Sequence, residues 1–115
     1  MQGYLKEVNV KFDMPPADEA IKRVEAALNS GKKLGAAVVK IVHGYGSTGN
    51  GGKIRTRTRK YLAGLKEQGA IRDYIPGEDF SIFNSATRAA FSLCADLRGD
   101  EDLDRYNSGV TFVII

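Results

Sequence analysis

Val38-Val39-Lys40-Ile41-Val42-His43-Gly44-Tyr45-Gly46-Ser47-Thr48-Gly49-Asn50-Gly51-Gly52 is the stretch on which the reading of this chain turns. Its first part is a nearly unbroken apolar run, the mark of a strand that lies centrally in a sheet or is covered on both faces. From His43 onward it holds five glycines in ten residues and leads into a basic segment with helical spacing. A strand that empties into a glycine-rich turn before a helix leaves backbone N–H groups free to hold an anion. Glycine lets that backbone come close to a phosphate. The one histidine of the chain, His43, stands at the strand end beside the same turn.

On either side of this stretch, strand and helix patterns alternate. Residues 8–12 alternate and read as a first strand. Pro15-Pro16 opens a helix with Asp18 and Glu19 in its first turn, where they suit the dipole. Ala17, Ala20, Ile21, Val24, Ala27 and Leu28 recur at helical spacing, and Gly31 reads as the stop. The apolar strand covers residues 36–42. After the glycine turn, Ile54, Thr58, Tyr61, Leu62 and Leu65 mark one face of a second helix that Gly69 ends. Residues 71–75 are a third strand, stopped by Pro76-Gly77. Asn84 or Ser85 caps a third helix with Ala86, Ala90, Leu93, Cys94 and Leu97 on its apolar face. An acidic loop (98–109) and a last strand (110–115) complete the chain. The expected fold is α/β, an α+β sandwich in the order β-α-β-α-β-(α insertion, 77–109)-β, with a four-stranded mixed sheet. The first two helices share one face, and the glycine turn crosses the carboxyl end of the second strand.

Composition sets further bounds. The 115 residues suit one domain over residues 1–115 and bury roughly two-thirds of the unfolded surface. No apolar run approaches the ~18 residues of a membrane span, and the N-terminus lacks the apolar core of a signal peptide, so a cytoplasmic protein without membrane partners is expected. Cys94 alone forms no internal disulfide and reads as a small buried hydrophobe. No Cys/His cluster suggests a metal. Asp100, Glu101, Asp102 and Asp104 lack the order of a calcium loop and read as a solvated acidic loop.

The net charge is +3, but its distribution is uneven. Residues 32–72 carry ten basic side chains against Glu67 alone, whereas residues 73–115 carry three against eight acidic ones. Positive charge is gathered around the glycine turn, where it would steer a polyanion.

Three phosphate sites compete for the turn. A mononucleotide P-loop fails, because Gly52 stands where its lysine belongs and Ile54 follows Lys53. Gly44-x-Gly46-x-x-Gly49 matches the dinucleotide fingerprint, but it follows the second strand of a chain too short for two mononucleotide-binding halves. Dinucleotide binding stays as an outlying alternative. The third reading is the backbone of a nucleic acid, DNA or RNA, bound without sequence preference. Gly44, Tyr45, Gly46, Ser47, Thr48, Gly49, Gly51 and Gly52 would line it, and Lys53, Arg55, Arg57 and Arg59 would supply charge. Six such contacts would give a salt slope of about −5. Tyr45 either stacks on an unpaired base or covers its own loop.

The block His43-Gly44-Tyr45-Gly46-Ser47-Thr48-Gly49, with Gly51-Gly52 and Arg55, resembles the Smr (small MutS-related) domain, in particular its short stand-alone members. Met14-Pro15 with Glu19-Ala20, residues 76–83, and Asn107-x-Gly109-x-Thr111 are similar to further family blocks, so the resemblance spans nearly the whole chain. It implies a fold like the C-terminal domain of translation initiation factor 3, and DNA or RNA binding connected with DNA repair, recombination or RNA processing. It also implies nicking or endonucleolytic cleavage in some members. The family's first block, Leu-Asp-x-His, is matched here by Val8-Asn9-Val10-Lys11. An amide moves no protons and an ordinary lysine stays charged, so binding carries over better than cleavage. As a nuclease, the chain would use His43 and Lys11 as candidate catalytic groups, with Lys11 or Arg55 neutralising phosphoryl charge, and Mg2+ is the one cofactor that reading admits.

Overall fold

The computed structural model describes residues 3–45 and 51–115. Its elements are β1 (Tyr4–Asn9), α1 (Ala17–Leu34), β2 (Ala36–Val42), α2 (Gly51–Glu67), β3 (Asp73–Pro76), α3 (Ser85–Leu93) and β4 (Val110–Ile114), with 3-10 turns at Gly77–Asp79 and Ala95–Gly99. The strands form one mixed sheet in the order β1-β2-β4-β3. β1 runs parallel to β2, while β4 is antiparallel to both β2 and β3. The two inner strands are β2, which reads as an apolar run, and β4, which is buried along its whole length.

Both faces of the sheet are covered. On one, Ala20, Val24, Ala27 and Leu28 of α1 and Ile54 and Leu62 of α2 close over Val39, Ile41 and Val113. On the other, Phe80, Ala90, Phe91, Cys94 and Leu97 cover Val38, Ile75 and Phe112. There the Phe80 and Phe112 rings stack with centroids 4.0 Å apart. The first two helices therefore share a face as expected, and the insertion carrying α3 shields the opposite one.

Element ends differ from the sequence reading in ways that local chemistry explains. β1 lies earlier than residues 8–12 because the Asn9 side chain accepts the Lys11 N–H at 3.0 Å and turns the chain out of the sheet. α1 runs past Gly31, which is buried. A Cβ there would lie 3.0 Å from Val39 Cγ2, so this glycine serves close packing of helix on sheet. The stop is Gly35, in the left-handed conformation at φ 82°. Asn84 caps α3 by accepting the Thr87 N–H. That helix ends at Leu93, so Cys94 and Leu97 reach the core from the turn that follows.

The acidic loop is not simply solvated. Lys40, in the middle of apolar β2, has a side chain only 2% exposed, and its Nζ lies 2.6 Å from Asp102 and 3.0 Å from Asp100. Burial by itself would lower the Lys40 pKa, but the Asp102 and Asp100 carboxylates outweigh it and raise it. Asn107 donates to Asp102, so the loop is fastened to the sheet by a buried ion cluster, while Glu101 and Asp104 stay exposed.

Candidate nucleic-acid interface

The site begins where β2 ends. The N–H groups of His43 and Gly44 both donate to the Gly109 carbonyl, at 3.0 and 2.9 Å. This clips the exit of β2 to the turn before β4. Gly44 has φ +84°, which favours glycine, and the Lys11 stem lies 2.9 Å from where a Cβ would stand. The Tyr45 ring covers Gly109 with a comparable lack of room, 3.2 Å from a Cβ there. The ends of β1 and β2 and the start of β4 thus meet at one mouth. Gly46, Ser47, Thr48 and Gly49, expected to line the phosphate, lie outside the described residues.

His43 is packed beneath this mouth and fully buried. Its Nδ1 lies 2.9 Å from the Gly44 carbonyl, which only accepts, so Nδ1 carries the proton and donates. Nε2 is then the acceptor, and the Thr111 hydroxyl donates a hydrogen bond to it at 2.8 Å. Burial pushes the His43 pKa down to about 4; the Gly44 carbonyl pulls it up, and the Arg59 and Arg55 charges push it further down. At neutral pH the ring is uncharged, and both nitrogens are engaged inside the protein.

Arg59 is held in the same network. Its guanidinium grips Glu78 in a two-pronged pair, both contacts at 2.7 Å, and its Nε donates to Thr111 Oγ1 at 3.3 Å. It also reaches the Ser108 and Val110 carbonyls. The Arg59 pair holds the Glu78 carboxyl below its ordinary pKa. Of the expected cations, Arg59 is therefore turned inward and braces the turn under the mouth. Lys53 is exposed on the first turn of α2, Arg55 reaches Ser108 Oγ at 3.4 Å, and exposed Arg57 pairs with Asp18 at 2.6 Å. Gly51 and Gly52 form the start of α2 itself. Further along, Arg57, Lys60 and Lys32 rim a groove of about 700 Å³ between α1 and α2.

Sequence reasoning gave Glu78 and Thr111 no chemical role, although both stood in quoted blocks. The available signal was Thr111 itself, one hydroxyl in the strand Val110-Thr111-Phe112-Val113-Ile114, since a buried hydroxyl needs a partner.

The donor set does not suit a magnesium ion. Both Glu78 oxygens are held by Arg59, and Asn9 offers an amide already used by Lys11. Among the described residues no three His, Cys, Asp or Glu side chains converge. Also among these residues, no helix is long and apolar enough to cross a membrane.

Comparison with known proteins agrees with this fold. The crystal structure of the Smr domain of Thermus thermophilus MutS2 has the same fold, with a TM-score of 0.58 over 95% of each chain at 21% identity. No curated protein matches the sequence. The Smr domain family model matches residues 14–79, more than half of the chain and including β2, His43, Gly44 and α2. The chain therefore belongs to the Smr domain family, which is associated with nucleic-acid binding and nicking endonuclease activity.

Proposed function

We propose that this chain acts as a single Smr domain that binds DNA or RNA through the phosphate backbone, without base-specific readout and without efficient cleavage. The observation that carries the reading is the placement of Lys53, Arg55 and Arg57 on the first two turns of α2, with Arg55 beside the clipped mouth of β2 and Arg57 toward α1. The side chains point to a polyanion, because solvent-reachable cations around a helix start favour phosphate wherever it lies along a strand. Arg59 is given a bracing role and not a ligand contact.

The nuclease alternative asks for a group that moves a proton at the mouth. His43 is buried, neutral and doubly hydrogen-bonded, and the first-block positions hold Asn9 and Lys11. Neither supplies general acid-base chemistry as placed. The test incubates the purified protein with labelled single strands, duplexes, branched DNA and structured RNA, with and without Mg2+. Binding without strand scission is expected. Scission that survives repurification and is lost in Lys11→Ala would contradict the reading.

A further inference from the structure

Phe12 is 67% exposed at the tip of a turn that the structure holds firmly. The Met14 N–H donates to the Lys11 carbonyl at 2.7 Å and closes the turn. Arg23 donates to the Phe12 carbonyl at 2.7 Å and also reaches the Val10 carbonyl. Two side-chain-bearing residues, Asp13 and Met14, adopt positive φ of 62° and 46° to shape it. A strained and cross-braced turn here lifts a phenyl ring into water and leaves it outside both core clusters.

The turn also stands beside the mouth. Lys11, next to Phe12 in the chain, lays its stem over Gly44, and the neighbouring Tyr45 keeps 58% of its surface exposed while lying over Gly109. Two exposed aromatic side chains therefore belong to segments that meet at the mouth, one on the β1–α1 turn next to Lys11 and one at the end of β2. Cations that hold phosphate, combined with rings open to solvent, form the arrangement that binds unpaired nucleotides, because every base has a face to stack and a base inside a duplex does not offer it.

The geometry points to Phe12 as a stacking residue and to the class of ligand: a strand with unpaired bases, single-stranded DNA or RNA or the open arm of a branched molecule, in preference to a continuous duplex. This rests on the nucleic-acid-binding reading above.

Because the chain contains no tryptophan, Phe12→Trp places a unique fluorophore at the tip. The experiment titrates wild type, Phe12→Ala and Phe12→Trp with a labelled single-stranded oligonucleotide and with a blunt hairpin duplex, following anisotropy and tryptophan emission together. Single strands are expected to bind more tightly than the duplex, Phe12→Ala to weaken single-strand binding about tenfold with the salt slope unchanged, and Phe12→Trp to bind with its emission quenched. Equal binding of both ligands, untouched by Phe12→Ala and without quenching, would overturn the stacking role while leaving backbone binding in place. No binding of either ligand by wild type would overturn the backbone reading itself.

Discussion

His43 joins the glycine turn to β4, and its buried neutral ring makes stability depend on pH. The ordinary pKa is 6.5 and the folded value about 4, so between these the unfolded chain binds a proton that the folded one refuses. Its contribution is complete above about pH 6.5 and is lost as pH falls toward 4, by an amount of the order of 3 kcal/mol. Glu78 and Asp102 are held below their ordinary 4.5 and 3.8 and lose their contributions mainly below that window. Urea unfolding of wild type and His43→Gln at stepped pH checks this: the slope between pH 6.5 and 4 is expected in wild type and absent in the variant. Lys40 gives a second prediction. Removing its charge by Lys40→Met strands Asp100 and Asp102, whose side chains are 7% and 12% exposed, and is expected to destabilise by about 3–5 kcal/mol in the same assay. A lone lysine in an apolar strand was legible as an anomaly. Its buried partner Asp100 lies 60 residues away, and nothing local in an acidic loop distinguishes a caged aspartate from a solvated one.

Helices and strands were legible wherever an apolar period ran long enough to need a covering layer, as in α1 and β2. Their ends depended on single side chains that compete with the pattern: the Asn9 turn cut β1 short, and Gly35 stopped α1 because Gly31 was needed against Val39. Two glycines therefore predict opposite effects. Gly35 sits at positive φ in open space, so Gly35→Ala introduces left-handed strain of about 1–2 kcal/mol. Gly64 lies inside α2 with no atom within 4 Å of an added Cβ, so Gly64→Ala is expected to stabilise by about 1 kcal/mol through helix propensity. Thermal unfolding of the two variants is expected to move a few degrees in opposite directions.

Across the whole molecule, the strand order β1-β2-β4-β3 brings the turn before β4 against the end of β2, residues more than 60 positions apart. That juxtaposition makes the mouth, and it explains why the end of β2 and the start of α2 were legible while the Glu78–Arg59–Thr111–His43 brace was not. Periodicity reports which residues face a core, but long-range polar pairing follows only once the sheet is assembled. The same assembly sorts the basic segment: Lys40 and Arg59 are neutralised internally, Arg55 is left beside the mouth, Lys53 is exposed on the first turn of α2, and Arg57 is exposed toward Asp18 of α1. The central claim is that these three cations grip phosphates. It is tested by measuring the affinity for a labelled oligonucleotide as a function of salt, in wild type and in the Lys53→Ala/Arg55→Ala/Arg57→Ala variant. The predicted result is a steep linear fall of log affinity with log salt in wild type, and a slope shallower by about 2–3 in the variant, whose unfolding midpoint is little changed. An identical slope and affinity in the two proteins would contradict the claim.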